Sequence, residues 1–191
     1  DYIMEGDSPS FMGLINNGLN SPENPNFGGW GGRYELYIPQ LKKYMYEPES
    51  RPIWTDTDDE VYSEITKSYH TSNQATIWRW RKAYQNDFFA RMDWSIAQNF
   101  REANHPPAVT LNHPNGINVK SGEKVTLSGK ATDPDGNTLS YNWIFYKEVG
   151  SLNASGFVLE NNKNQEVNFI APKVTSPKTM HFILEVTDNG S

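Results

Sequence analysis

The chain has no cysteine among its 191 residues, which excludes a disulfide framework and any thiolate metal site. It also lacks long apolar runs, and no stretch approaches the roughly 18 residues of a membrane-spanning helix. No signal-peptide pattern is present at the N-terminus. Cations are in deficit: the net charge of -6 leaves no basic stripe of the kind a nucleic-acid surface needs to displace counterions. The four histidines, His70, His105, His113 and His181, show neither metal-ligand spacing nor a Ser or Cys nucleophile context, and are read as structural.

What is present is unevenly distributed. All six arginines and five of the six tryptophans precede Asn104-His105-Pro106-Pro107, beyond which every cation is lysine. The two prolines stop a helix there, so two domains are expected, 1–105 and 106–191. The chain opens on Asp1 and stops at Ser191, just after a strand-and-turn pattern, so it is expected to be a piece of a longer protein.

In the first half, Asp7 or Ser8 is placed to cap a short helix with Pro9 in its first turn, and Asn16-Asn17-Gly18 ends it. Four glycines then surround Trp30, in a loop where backbone either passes close to something bulky or takes positive φ. Tyr34–Met45 reads as irregular or strand-like. Trp54–Glu60 is the acidic start of a helix expected from about Val61 to Tyr69. From Trp78 to Trp94, an amphipathic helix with an aromatic face is expected, because Ile77, Trp80, Tyr84 and Phe88 recur at three- and four-residue spacing. With hardly one convincing buried strand, this half reads either as an irregular helical domain or as the mostly helical C-terminal part of a larger α/β domain whose sheet lies upstream.

The second half alternates apolar and polar residues in five strand candidates, 108–111, 124–128, 139–145, 166–169 and 181–186, with turn residues between them. Trp143 is expected at the centre of their core, and Asp133-Pro134-Asp135-Gly136-Asn137 is a turn. The segment Ala131–Trp143 and the run Val186-Thr187-Asp188-Asn189-Gly190 resemble immunoglobulin-like domains of the polycystic-kidney-disease-repeat and cadherin-like type. That resemblance implies an all-β immunoglobulin-like sandwich here without its last strand, leaving an open sheet edge.

Taken together, Glu5–Phe11, Gly28–Tyr34, Trp78-Arg79-Trp80-Arg81, Gln85-Asn86-Asp87-Phe88 and Asn104–Pro107 resemble the bacterial family of cellulose-binding proteins that carry a nucleoside-hydrolase-like domain. The resemblance extends over nearly the whole chain. It implies the C-terminal portion of a secreted or periplasmic glycan-acting protein, related to calcium-dependent N-glycosyl hydrolases. In such enzymes a carboxylate-held Ca²⁺ positions and activates a water. Their main Asp cluster lies upstream of anything present here, so this chain alone is expected to be inactive. The resemblance makes Asp7 the candidate metal ligand, with Glu5 beside it; the alternative is that Asp7 only caps its helix. Glu5, Trp30 (between glycine pairs) and Arg33 are the candidate ligand-binding residues.

Two further acidic groups are read as structural. Asp56, Asp58 and Asp59 suit a solvated helix N-terminus, which the macrodipole favours. Asp133 and Asp135 in one turn fall short of the six oxygens that a calcium ion takes. Trp54, Trp78 and nearby tyrosines are candidate sugar platforms, while Trp80, Trp94 and Trp143 are assigned to the core. The expected partner is a polysaccharide or a nucleoside-like small molecule, with homodimerisation as a further arrangement. A non-catalytic polysaccharide-binding protein is the alternative to the hydrolase.

Overall fold

The computed structural model describes residues 7–37, 53–152 and 156–190. They fall into two compact units, 1–87 and 88–191. The division lies inside a helix, ahead of the Asn104–Pro107 break where the sequence suggests a boundary.

The first unit opens with α1 (Asp7–Met12) and a 3-10 turn at Pro25–Phe27. Two antiparallel hairpins follow. The first pairs β1 (Tyr34–Tyr37) with β2 (Ile53–Asp56), and the second pairs β3 (Asp59–Ser63) with β4 (Ser68–Ser72). Then come α2 (Ala75–Trp78) and α3 (Arg81–Ile96), the latter running across the division. Asn20 ties α1 to the glycine loop. Its Nδ2 donates to the carbonyls of Met12 (2.8 Å) and Ile15 (2.7 Å), and its Oδ1 accepts from the Trp30 amide. Both reasons for glycine in that loop are realised. A Cβ on Gly31 would collide with the Pro9 carbonyl oxygen, and Gly32 has φ +102°, a conformation L side chains rarely adopt.

The segment Val61–Tyr69 is not a helix. Val61, Ile65 and Tyr69 lie four apart, which imitates one helical face, but Asp59–Ser63 and Ser68–Ser72 form a hairpin around Glu64-Ile65-Thr66-Lys67. Lys67 adopts φ +53° and the Thr66 amide donates to Ser63 Oγ, so local turn chemistry overrides the four-residue period. Of the Tyr34–Met45 stretch, Tyr34–Tyr37 is β1 and residues 38–45 lie outside the described residues.

In the second unit, β5 (Ala108–Leu111), β6 (Lys124–Thr132) and β8 (Glu166–Ile170) form a three-stranded antiparallel sheet with β6 central. Strands β7 (Leu139–Phe145) and β9 (Phe182–Asp188) form a separate pair. Val125, Leu127 and Val167 from the first sheet pack with Trp143 of the second and Ala171 in one core, flanked by Leu159, Phe169, Phe182 and Leu184. Alternation along β6 puts Val125 and Leu127 on that inner side and Lys124 and Thr126 outside.

The class expected from sequence, a mostly helical α/β portion followed by an immunoglobulin-like sandwich, is therefore corrected. The described chain is mostly strand, arranged in small antiparallel sheets of two or three strands, with three helices. Every pairing among the described residues is antiparallel.

Candidate functional site

Asp59 is fully buried at the start of β3 and is held between two arginines. Arg33 Nε donates to Oδ1 at 2.8 Å, and Arg79 Nε to Oδ2 at 3.1 Å. Arg33 also donates through Nη2 to the Asp58 carbonyl at 2.5 Å, while its own carbonyl accepts from the Thr57 amide. Two guanidinium groups satisfy both carboxylate oxygens, the condition under which a buried ionic group is tolerated. Arg33 lies just before β1, Asp59 opens β3 and Arg79 follows α2. The network therefore fixes both hairpins and the helix to one another.

This accounts for two residues differently from the sequence. Asp59 is not part of a solvated helix start, and Arg33 is buried and engaged with protein groups rather than aimed at solvent. Trp30 retains only 9% of its surface, as a core side chain beside the α1–loop junction. Asp7 is the first residue of α1, with its side chain outside the described set, and Glu5 lies outside the described residues altogether.

The hairpins instead present other aromatics to water. Trp54 on β2 is 43% exposed and pairs across the strands with Leu36, itself exposed on β1. Tyr62 and Tyr69 are direct cross-strand partners on the second hairpin, 40% and 67% exposed. Their rings meet edge to face at 5.2 Å. Direct partners in an antiparallel ladder share a face, so each hairpin carries an apolar, ring-bearing patch flanked by polar groups, including Glu60 and Thr71 beside the tyrosines. On the opposite face of the second hairpin, His70 Nε2 shares a 2.6 Å hydrogen bond with Thr66 Oγ1, and its ring meets half-buried Trp78. Tyr34, whose hydroxyl donates to the Gly31 carbonyl, has its pKa raised by burial and, second, by the nearby Asp56 carboxylate. Flat rings in solvent, stiffened by pairing and bordered by hydrogen-bonding groups, suit the C–H face of a sugar ring.

Sequence reasoning named Trp54 and the neighbouring tyrosines but missed the Tyr62–Tyr69 pairing. The segment Asp59–Ser63 alternates in burial but not in residue type, so no local pattern in the sequence announced it. Trp80 and Trp143 are buried as expected, and Trp94 is half-buried.

A calcium ion needs several oxygen ligands. Among the described residues no group of three or more His, Asp or Glu side chains could hold a metal ion. Asp59 is already neutralised by its arginines. Asp133 Oδ1 accepts from the amides of Asp135 and Asn137, and Asp135 is engaged with His105. The described residues do not fit the ion. No helix among the described residues is long and apolar enough to cross a membrane.

Comparison with known proteins agrees with the sequence resemblance. The sequence profile of the nucleoside hydrolase-like domain of cellulose-binding Sde182 matches residues 1–34. That of the C-terminal domain of cellulose-binding protein Sde0182 matches residues 124–191. A solved structure of a nucleoside hydrolase-related hypothetical protein from Saccharophagus degradans, described as associated with carbohydrate metabolism, is 32% identical with a TM-score of 0.72. The match covers 100% of this chain and 45% of that one, so the chain spans less than half the length of its relative. No curated protein matches. Two profiles of the same kind of protein, met in order and together covering more than half of the residues, place the chain in the Sde182 family of cellulose-binding proteins.

Proposed function

We propose that this chain binds polysaccharide without catalysing its breakdown, using the aromatic faces of the two hairpins. The observation that carries the reading is the solvent exposure of Trp54 and of the Tyr62–Tyr69 pair on short paired strands. Neighbouring exposed apolar side chains that form a patch rimmed by polar residues mark interaction sites, and amphipathic rings suit wet, partly apolar interfaces. Membership in a family described as cellulose-binding makes a β-linked glucan the first polymer to try. An insoluble glucan lies outside the cell, so this function is exercised after export. Hydrolysis of N-glycosyl or glycosyl bonds, which the nucleoside hydrolase-like match at residues 1–34 suggests, is assigned to the longer protein and not to this chain.

The test is depletion of the chain from solution by microcrystalline cellulose. Trp54→Ala and the double variant Tyr62→Ala/Tyr69→Ala should each weaken binding roughly tenfold, the loss of one good ring contact. Unchanged binding in the triple variant would remove the hairpins from the function.

A further inference from the structure

We infer that the second unit holds a separate small pocket for a single neutral sugar ring, at the C-terminal end of α3. Here four groups are layered. The Arg91 guanidinium carbon lies 5.5 Å from the centre of the Trp94 ring. Trp94 is stacked on His105 at 5.6 Å and 13°. His105 is stacked in turn on Phe100, at 3.6 Å and 4°. Phe100 is nonetheless 58% exposed. His105 covers one face of the ring, so the exposed surface of Phe100 lies away from that contact.

The stack is held from several directions. Trp94 Nε1 donates to the Asn104 carbonyl at 2.6 Å. The His105 amide donates to Asp135 Oδ2 at 2.7 Å, and the same carboxylate lies 3.2 Å from His105 Nδ1. The Asn104 side chain donates to Asp188 and accepts from Asn137. These contacts fix the rings before any ligand arrives, which lowers the ordering cost of binding.

An open depression of about 290 Å³ adjoins the stack, lined by Trp94, Gln98, Asn99, Phe100 and His105 with two alanines. That lies at the lower end of ligand-pocket volumes and is sized for one ring rather than an extended chain. Its chemistry combines apolar ring faces with amides. The Gln98 side chain makes no hydrogen bond among the described residues, leaving a donor and an acceptor for hydroxyl groups. The Glu102 carboxylate accepts from the Gln98 amide and from Asn99 Nδ2, and its negative charge beside the pocket disfavours an anionic ligand. A neutral polyhydroxylated ring with an apolar face matches this set.

The choice of a sugar rests on the polysaccharide reading above, whereas the pocket itself does not involve the hairpins. Both can be separated in one experiment: amide and indole NMR shifts of the whole chain titrated with glucose and with cellobiose. The expected result is a saturable shift at residues 97–105 and at the Trp94 indole. Phe100→Ala should weaken it roughly tenfold. Gln98→Ala, at an exposed side chain without fold contacts, should weaken it several-fold. Shifts confined to residues 34–37 and 53–72, or no shift in 97–105 with either sugar, would overturn the pocket. Saturable shifts at 97–105 in a chain that does not bind cellulose would support the pocket and sink the hairpin reading instead. A Gln98→Ala variant with wild-type affinity would remove the amide from the site and overturn the ligand assignment.

Discussion

The two units of this chain are stabilised by different means. In the first, the buried set is small and mixed: Trp30, Ala75 and Trp80 beside Arg33, Asp59 and Thr76. In the second, the buried set is apolar: Val125, Leu127, Trp143, Tyr146, Val167 and Ala171. One is organised around satisfied charges and a close-packed glycine loop, the other around side-chain volume. A charge network specifies geometry strongly and adds little net stability, while apolar burial adds stability without direction. Short hairpins are marginal by themselves, and the buried carboxylate is what ties these two together.

The comparison can be broken by removing the centre of each region. Trp143→Ala, which empties the core position between the two sheets of the second unit, should cost about 4 kcal/mol. The measurement is the denaturation midpoint together with amide exchange in β6, β7 and β8; a loss below about 1 kcal/mol would mean that the core relaxes as no tightly packed core does. Asp59→Asn leaves two guanidinium groups in a buried site without their counter-charge and should cost about 3 kcal/mol. The loss should appear as faster exchange in β1–β4; if β7 and β9 lose protection instead, the assignment of the network to the hairpins is wrong.

The smallest effect sharpens the contrast through pH. Burial lowers the pKa of His181 below its ordinary 6.5, so the folded state favours the neutral ring. Above about pH 6.5 both states are neutral at this site and nothing is lost. As pH falls from 6.5 toward the lower folded value, the unfolded chain takes up a proton that the folded one resists, and stability declines. Replacement by Phe should flatten that slope between pH 6.5 and 5 in thermal melts. An unchanged slope would show that His181 is not its source.

How much of this was legible in the sequence differs between the regions for the same reason. The strands of the second unit fall where period-two alternation placed them. Along β6 and β8 buried positions alternate against a common core and the pattern reports that burial directly, while β5 is exposed along its length and is held by its pairing to β6. In the first unit burial is sparse, so periodicity carries little information. Val61, Ile65 and Tyr69 imitated a helix, and the run Asp58-Asp59-Glu60 looked like solvent-exposed acid although one of the three is fully buried. A carboxylate inside a protein is identified by its partners. Those partners, Arg33 and Arg79, are 26 and 20 residues away, beyond the reach of any local pattern. The glycine loop was legible as a tight backbone passage, but not the direction in which Trp30 points, because that depends on Asn20. The surface aromatics were half legible: Trp54 by type, and Tyr62 with Tyr69 only once the hairpin register was known. The Phe100–His105 stack had no local signal, since Asp135, thirty residues on, holds it.

The position of Asp59 also bears on how β3 finds its register. Side chains along a strand alternate sides, so a slip of one residue turns every side chain over. Asp59 is flanked by Asp58 and Glu60, so a slipped strand would still offer the arginines an acid. It would also bring Tyr62 to the side that Val61 now occupies and turn His70's partner position outward. Charge alone therefore does not proofread this strand. The difference in size between Val61 and Tyr62 is the remaining discriminator, so Val61→Phe is expected to let the hairpin settle in two registers, seen as doubled amide NMR signals over β3 and β4; single signals would rule this out.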